Sequence, residues 1–205
     1  MTDDEWLESV SKDKPEWQYH EICLWLPHKP ETVEDIANDM VANGFRLDRA
    51  IATYEGKILD GRHRYEASVK AGADPIFVEF QGTKGEAIAY VTSENVARRH
   101  LSGSEKKYFY VKRTEALGVR TKADNQHVVN TTSTPSQADH AGALGVHRDT
   151  VARWEKDRKE IVADPKLSEK AATPEGYKEA EREVKKRRKA TKEEANRIAK
   201  LKSLG

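Results

Sequence analysis

The sequence has almost no cysteine and no long apolar segment. Cys23 is the single cysteine of the 205 residues, so no disulfide can form within the chain, which is typical of a reducing cytoplasm. A lone cysteine without clustered histidines also disfavours a structural zinc site. No run of about 18 apolar residues is present, and the acidic N-terminus lacks the apolar core of a secretory signal. We therefore expect a cytoplasmic protein without a membrane span.

Apolar residues are scarce as well, and charged residues are abundant. The chain is 37% hydrophobic and 35% charged, against roughly 45–50% and about 25% in typical globular domains. We therefore expect one or two compact domains with some tail or linker. Residues 1–60 hold 6 Lys and Arg against 14 Asp and Glu, whereas residues 61–205 hold 30 against 21. The second part is thus the candidate for contact with a polyanion, unless its charges form an ordinary solvated surface.

Local patterns alternate between strand and helix in the first half of the chain. They predict strands at 19–26, 50–54, 57–59 and 75–80 and helices at 30–43, 62–71 and 85–97. Ser102 followed by Glu105 is typical of a helix start. Residues 120–135 lack a period and predict an interdomain linker or a mobile loop, and the prolines within 161–176 predict a second break.

These patterns divide the chain into four parts. We expect a polar arm at 1–18, an α/β domain at 19–101, a helical domain at 102–160, and a linker with a basic helical tail at 161–205. The apolar residues of the tail are too sparse for a heptad seam. Its basic residues suit phosphate contact or dimerisation, and a solvated single helix explains them equally well.

Residues 137–154 have the spacing of a helix-turn-helix. Ala141 is small where two helices must cross, and Gly145 permits the turn between them. Ser136 or Thr134 can cap the first helix. The buried side of the pair of helices would include Leu144, Val146, Val151 and Trp154. The candidate DNA-contacting residues are Gln137, His147, Arg148, Asp149 and Arg153.

Some of these candidates have a second interpretation. Arg148 and Arg153 suit guanine edges or phosphates. His147 can equally be a helix N-cap, and Asp149 can either read a base or pair with Arg153 at i,i+4. An ordinary helical hairpin remains the alternative for the whole segment.

Two polar clusters in the α/β domain suit a phosphate group. In the first, Gly61 stands between a predicted strand and a predicted helix, where backbone N–H groups can meet an anion. Its side-chain donors are Arg62, His63 and Arg64. In the second, Glu94 beside Asn95 can hold a hydrated Mg²⁺, and Arg98 follows one helical turn later. Taken separately, each cluster is better explained as a solvated basic helix with internal salt bridges.

The segment ILDGRHRYEAS, followed by EN-x-x-R-x-x-L and a helix-turn-helix, resembles the ParB/sulfiredoxin-like superfamily, and ParB-type proteins in particular. The resemblance covers residues 19–160 and implies an α+β ParB-like domain followed by an all-α helix-turn-helix domain and a charged helical tail. It implies that the segments at Gly61–Arg64 and Glu94–Arg98 bind a nucleoside triphosphate, with CTP as the expected nucleotide, and that Mg²⁺ is held at Glu94 and Asn95.

The sequence also departs from the family pattern. Arg62 and His63 stand where the family has Glu and Arg, and His100 replaces a usual acidic residue. Sulfiredoxins need a cysteine at the position of Arg62, so their reductase activity does not carry over. Whether the chain hydrolyses a nucleotide as a weak CTPase-like enzyme is left open by these differences.

Three functions follow from this sequence. The first is a ParB-like DNA-binding protein, of the partition or transcription-regulation type, with a Mg-nucleotide switch. The second is an enzyme of the same superfold, a nuclease or a small-molecule kinase that uses Asp60, His63 and Glu94. The third is a DNA-binding regulator with a degenerate nucleotide site. The expected partners are double-stranded DNA, a second copy of the chain and a motor ATPase, on the nucleoid of a bacterial or phage-infected cell, with a phage or plasmid origin among the alternatives.

Overall fold

The computed structural model describes residues 17–96, 101–119 and 134–203. The chain forms two compact units, Met1–Ala87 and Ile88–Gly205. Most of the predicted polar arm and of the predicted linker at 120–135 lies outside the described residues, as do Arg98 and His100. Within the described part, no helix is both long and apolar enough to cross a bilayer.

The first unit combines helices with a small sheet. Its elements are α1 (Glu21–Leu24), α2 (Pro30–Asn43), a 3₁₀ turn (Leu47–Arg49), β1 (Ile51–Tyr54), β2 (Lys57–Asp60), α3 (Arg62–Ala71), β3 (Phe77–Glu79) and the start of α4 (Lys84–Val96). The predicted hairpin, both longer helices and the strand at 75–80 are confirmed within a few residues at each end.

The sheet has the order β2-β1-β3. β1 and β2 form an antiparallel hairpin, in which Glu55 and Gly56 both have positive φ, as a tight primed turn requires. β1 and β3 are parallel, with Ile51 opposite Phe77, and α3 belongs to the connection that returns the chain to β3. Gly61 is the single residue between the end of β2 at Asp60 and the start of α3 at Arg62.

The predicted strand at 19–26 is wrong for most of its length. Tyr19 alone forms a parallel bridge, with Ile58, and the following residues form α1. The Nδ1 of His20 accepts a hydrogen bond from the backbone N–H of Ile22 and caps this helix. A single helical turn buries Ile22 and Cys23 together, so tertiary packing overrides the β-propensity of these residues.

A mixed aliphatic and aromatic core supports the sheet of the first unit. Cys23, Ile51 and Ile58 are buried at its centre, with partly buried aromatic rings around them. The rings of Trp17 and Phe77 stack with centroids 4.3 Å apart. The expectation that Cys23 is a small core residue is therefore confirmed.

In its described residues, the second unit contains the rest of α4 and five further helices. These are α5 (Gly103–Leu117), α6 (Gln137–Leu144), α7 (Arg148–Ala163), α8 (Pro165–Lys170) and α9 (Pro174–Lys202). Ser102 and Glu105 form a capping box at the predicted start of α5, and Ser136 forms another with Asp139 at α6. Serine at both starts satisfies N–H groups that have no partner inside the helix.

The predicted break at 161–176 is itself mostly helical. Pro165 and Pro174 begin α8 and α9, because proline fits the first helical turn, where its missing N–H is not needed. Asp164 and Thr173 provide the side-chain caps. The first part of the basic tail packs in the unit, since Tyr177 is buried, whereas residues 189–203 are exposed.

Candidate functional site

Helix α7 has one buried face and one exposed basic face. Val151, Trp154 and Ile161 point into the core of the second unit. At 100° per residue, a sector of about 140° on the other side holds eight exposed residues. They are Arg148, Asp149, Ala152, Arg153, Lys156, Lys159, Glu160 and Ala163. Four of these eight carry a positive charge and two a negative charge, so α7 presents a net basic surface to solvent.

The turn before α7 exists because of a glycine. Gly145 has φ 58° and ψ 47°, the left-handed conformation in which α6 ends. The backbone N–H of Val146 donates to the carbonyl of Ala141 at 3.1 Å, which closes the helix end. Residues 145–147 thus separate α6 from α7, and the two helices pack against each other. The two helices and the turn lie within the segment for which a helix-turn-helix is predicted, and the helix-turn-helix itself stays a prediction.

The structure assigns His147 as the N-cap of α7. Its Nδ1 accepts a hydrogen bond from the backbone N–H of Asp149 at 3.3 Å. Both side chains are largely exposed, at 77% and 83%, and the Asp149 carboxylate lies 3.4 Å from the same nitrogen. His147 therefore organises the helix start, which was one of its two interpretations.

Arg153 does not pair with the carboxylate of Asp149 as the i,i+4 spacing suggested. Its Nε donates to the backbone carbonyl of Asp149 at 3.3 Å, and its Nη2 donates to Thr150 Oγ1 at 3.2 Å. The guanidinium thus lies back along the helix surface toward the N-terminus of α7. Arg148 is exposed at that same end, and Gln137 is the first residue of α6.

A buried polar cluster fixes α7 against α5. Tyr110 donates its hydroxyl to Glu155 at 2.8 Å, and Arg158 holds the same carboxylate with two hydrogen bonds of 2.8 Å each. Burial and the bond to Glu155 raise the pKa of the Tyr110 hydroxyl. This cluster was not predicted from the sequence, in which the i,i+3 spacing of Glu155 and Arg158 is its only local signal.

In the first unit, Gly61 allows the chain to turn directly from β2 into α3. Its φ is 105°, and α3 has no side-chain cap. A Cβ at this position would stand 3.0 Å from Arg64 Nη2 and 3.3 Å from Ile51 Cγ1. The guanidinium of Arg64 lies over the glycine because it pairs with Asp60 at 2.8 Å. A larger residue would therefore disrupt both the turn and this ion pair.

The two residues between Gly61 and Arg64 differ in what they offer a ligand. Arg62 donates from Nη2 to the carbonyl of Leu26 at 3.2 Å, while its buried Nε has no hydrogen-bond partner. His63 is only 3% exposed; its Nε2 accepts from the backbone N–H of Lys29 at 2.9 Å. Arg62 therefore has unused donor capacity, whereas the ring of His63 is part of the packing.

A small histidine cluster near Gly61 was not predicted from the sequence. The rings of His28 and His63 stack, with centroids 5.2 Å apart and planes 6° apart. His28 also contacts Glu66 at 2.6 Å, and Glu66 accepts the hydroxyl of Tyr19 at 3.0 Å. Burial and the bond to Glu66 raise the pKa of Tyr19. These contacts tie the chain before α2 to α3.

The acid–amide pair of the second cluster lies in α4. Asn95 is 2% exposed and donates from Nδ2 to the carbonyl of Val91 at 2.9 Å. Glu94 is partly exposed. Across the described ranges, no three His, Cys, Asp or Glu side chains cluster as metal ligands. Of the two predicted Mg²⁺ ligands, Glu94 is thus the more accessible, as suits an ion that keeps most of its waters.

The structure thus defines a two-unit chain with a small mixed sheet in one unit and an exposed basic helix after a glycine turn in the other. No family model matches this chain, and no curated protein does. Solved structures similar to it include chromosome-partitioning ParB from Caulobacter crescentus, C-terminally truncated and complexed to the centromeric parS site. That chain is 18% identical, with 78% of this chain and 71% of that one covered and a TM-score of 0.40.

Two further similar structures are of the same kind. A Pnob8-like ParB-N domain is 15% identical, with 75% of this chain and 68% of that one covered and a TM-score of 0.42. The Caulobacter crescentus ParB complexed with CTP-γ-S is 20% identical, with 80% and 78% covered and a TM-score of 0.29. All three are ParB proteins or domains, the group that the motifs at Gly61 and Glu94 resemble.

Proposed function

We propose that this chain is a ParB-like protein that binds double-stranded DNA through the exposed face of α7. The observation that carries the proposal is the placement of Arg148, Arg153, Lys156 and Lys159 on one solvent-facing side of a helix that follows a three-residue turn. The major groove of B-DNA admits a single α-helix, and a helix that enters after such a turn reads bases with its first residues.

The residues at the start of α7 have separate roles in this proposal. Arg148 and Arg153 have forked donors that suit guanine edges or phosphate oxygens. Asp149 repels phosphates and accepts hydrogen bonds, so it suits a cytosine amino group. His147 holds the helix start in place, and Gln137 contacts the backbone from the first turn of α6.

We propose further that the corner at Gly61 binds the phosphates of a nucleoside triphosphate, with CTP as the expected nucleotide, and that Glu94 holds Mg²⁺. Two observations support it: α3 begins without a side-chain cap, and the buried Nε of Arg62 has no hydrogen-bond partner. Both suit a phosphate oxygen. When bound, Mg²⁺ would neutralise phosphate charge, and Arg62 would orient the anion.

The alternative of an enzyme is less well supported by the side chains. Asp60 is 4% exposed and His63 is 3% exposed. Asp60 is paired with Arg64, and the Nε2 of His63 accepts a backbone hydrogen bond. Acid–base groups must reach a substrate, so these two fit a structural role better. A second copy of the chain, a motor ATPase partner and association with the nucleoid belong to the proposal.

DNA selection tests the proposed role of α7. The full chain is incubated with a random duplex library, with and without Mg²⁺ and each triphosphate, and the bound duplexes are sequenced. We expect one enriched motif for the wild type. Arg148→Ala and Arg153→Ala should each weaken binding to that motif by about 5- to 150-fold, the equivalent of 1–3 kcal/mol per base contact.

Lys57→Ala is the matched control, since Lys57 is exposed on β2 and the variant also loses one positive charge. It should retain the enriched motif and its affinity. Equal enrichment by all the variants, or none by the wild type, would refute the assignment of α7 as the DNA-reading helix.

A further inference from the structure

The long helix α9 is fixed in rotation by its own buried face. Tyr177, Ala180 and Val184 are each at most 3% exposed and follow one another at helical spacing. α9 packs against α5, α7 and α8. The hydroxyl of Tyr108 on α5 also donates to the carbonyl of Ala172, just before α9 begins. The first three turns of α9 are therefore a structural part of the unit.

Ion pairs extend this anchoring along the helix. The buried Lys107 of α5 contacts Asp157 and also Glu181, the latter at 3.1 Å. Arg188 on α9 contacts Asp157 at 2.6 Å and Glu160 at 2.8 Å. These contacts hold one side of α9 against α5 and α7 as far as residue 188, so the opposite side must face solvent.

One flank of the exposed surface of α9, between the buried face and the side directly opposite it, has a row of positive charges. At 100° per residue, one sector of about 80° holds eight positions between 174 and 200. Six of them are basic and none is acidic; the basic residues are Lys178, Arg182, Lys185, Lys189, Lys192 and Lys200. All six are exposed. We call these six residues the α9 stripe.

Charges elsewhere on α9 do not show this segregation. Glu175, Glu179, Glu183, Glu193 and Glu194 lie among basic residues in the neighbouring sectors. The closest acidic contacts of the stripe are Lys185 with Glu181, which is already held by Lys107, and Lys189 with Glu193 at 3.8 Å. A helix that were merely solvated would not need to exclude acidic residues from one side alone.

We propose that the α9 stripe binds the phosphate backbone of duplex DNA without regard to sequence. From Lys178 to Lys200 the helix rises about 33 Å, close to one turn of B-DNA, and a row of lysines displaces condensed counterions from such a backbone. The proposal extends the proposed function, since it adds a second DNA contact in the unit that contains α7, and it does not depend on base reading by α7.

The charge and the apolar residues of α9 favour DNA over other anionic surfaces. A membrane-binding helix places bulky apolar side chains opposite its basic side and leaves them free to enter the lipid. Here that side is occupied by the core as far as Val184, and among the described residues farther along, Ile198 and Leu201 are the exposed large apolar residues. An acidic protein partner would need matched spacing, whereas DNA offers a uniform row of charges.

The salt dependence of binding tests the stripe. The full-length triple variant Arg182→Gln, Lys189→Gln and Lys192→Gln is compared with the wild type by fluorescence anisotropy on a duplex of random sequence, over a range of KCl concentrations. The matched control loses three exposed charges from the first unit: Arg49→Gln, Lys57→Gln and Lys70→Gln. Far-UV circular dichroism verifies that each variant is folded.

We expect the stripe variant to lower the slope of log K against log salt by about 2 to 3, since each lost phosphate contact removes about 0.9. Its affinity should fall at least tenfold at low salt, and the control should match the wild type. An unchanged slope would overturn the proposal, as would tighter binding to double-stranded RNA or to anionic vesicles than to DNA.

The same measurement separates this proposal from base reading by α7. Loss of the stripe should weaken binding to every duplex equally and leave any enriched motif unchanged. If α7 reads no sequence, the stripe still predicts salt-dependent binding to random DNA. If loss of the α9 stripe leaves the salt dependence unchanged, an enriched motif that depends on Arg148 still supports base reading by α7.

Discussion

His140 shows how a single polar residue can organise the helical unit. It is fully buried in α6, and its Nδ1 lies 3.2 Å from Arg113 Nη1. Because a guanidinium can only donate, Nδ1 accepts, and Nε2–H therefore donates to the carbonyl of Gly118 at 3.1 Å. Burial lowers the pKa of His140, and the positive charge of Arg113 lowers it further, against the opposing effect of the Gly118 carbonyl. His140 is therefore a neutral core residue.

This burial makes the stability of the protein sensitive to mild acid. A histidine whose pKa is lowered by folding binds its proton more readily in the unfolded chain, so stability is intact above about pH 6.5 and falls as the pH decreases below it. Thermal unfolding between pH 7.5 and 5.5 should show this decrease in the wild type. In His140→Gln, whose amide can keep both hydrogen bonds without titrating, the decrease should be smaller; an identical pH dependence would contradict the assignment.

The contacts between α5, α7 and α9 determine whether the last helix belongs to the unit. Asp157 is 6% exposed and accepts hydrogen bonds from Lys107 and Arg188. Burial alone would raise the pKa of Asp157, but these two cations bring it below its ordinary value. A buried carboxylate is tolerated only with such partners, so three helices are joined at one charged point.

Removing Lys107 from this network should be costly. In Lys107→Met, Asp157 and Glu181 lose a buried partner, and we expect a loss of about 3 kcal/mol in the free energy of unfolding. Urea denaturation of the full chain, followed by circular dichroism, measures the loss. Lys189→Met is the control, since its pair with Glu193 is exposed and should change stability by less than about 0.5 kcal/mol. Equal effects of the two variants would show that the network does not hold α9.

At the scale of the whole molecule, the two halves of the chain differ in charge. Residues 1–60 are net acidic and the remainder is net basic. The candidate DNA-binding residues all lie in the second unit, and the Gly61 corner lies in the first. If a nucleotide bound at Gly61 changes the affinity of the chain for DNA, DNA must change the affinity for the nucleotide by the same factor, because such coupling is reciprocal.

We therefore expect linked binding of Mg·CTP and DNA. If saturating Mg·CTP changes the dissociation constant for the enriched duplex by a factor of about 5 to 150, saturating duplex should change the constant for Mg·CTP by the same factor. Calorimetric titrations in both orders measure the two factors. Arg62→Ala should abolish the coupling while leaving DNA affinity without nucleotide unchanged. Affinities that are independent of each other would support a regulator with a degenerate site.

Local sequence determined most of the elements of the fold. The Glu55-Gly56 hairpin, the glycine corner at Gly61 and the capping boxes at Ser102 and Ser136 depend on interactions between residues close in the chain. Turn and cap chemistry is local, because a positive φ or an unpaired helical N–H is satisfied by its immediate neighbours. The boundaries proposed for the four parts of the chain remain a prediction.

The tertiary structure decided which of the polar residues are available to a ligand. His63 and Arg64 are adjacent and equally polar in the sequence, yet the ring of His63 is packed against His28 and Arg64 is paired with Asp60. Tertiary burial also turned residues 21–24 into a helix and fixed which side of α9 faces solvent. Burial and ion pairing depend on residues far apart in the chain, so no local pattern could determine them.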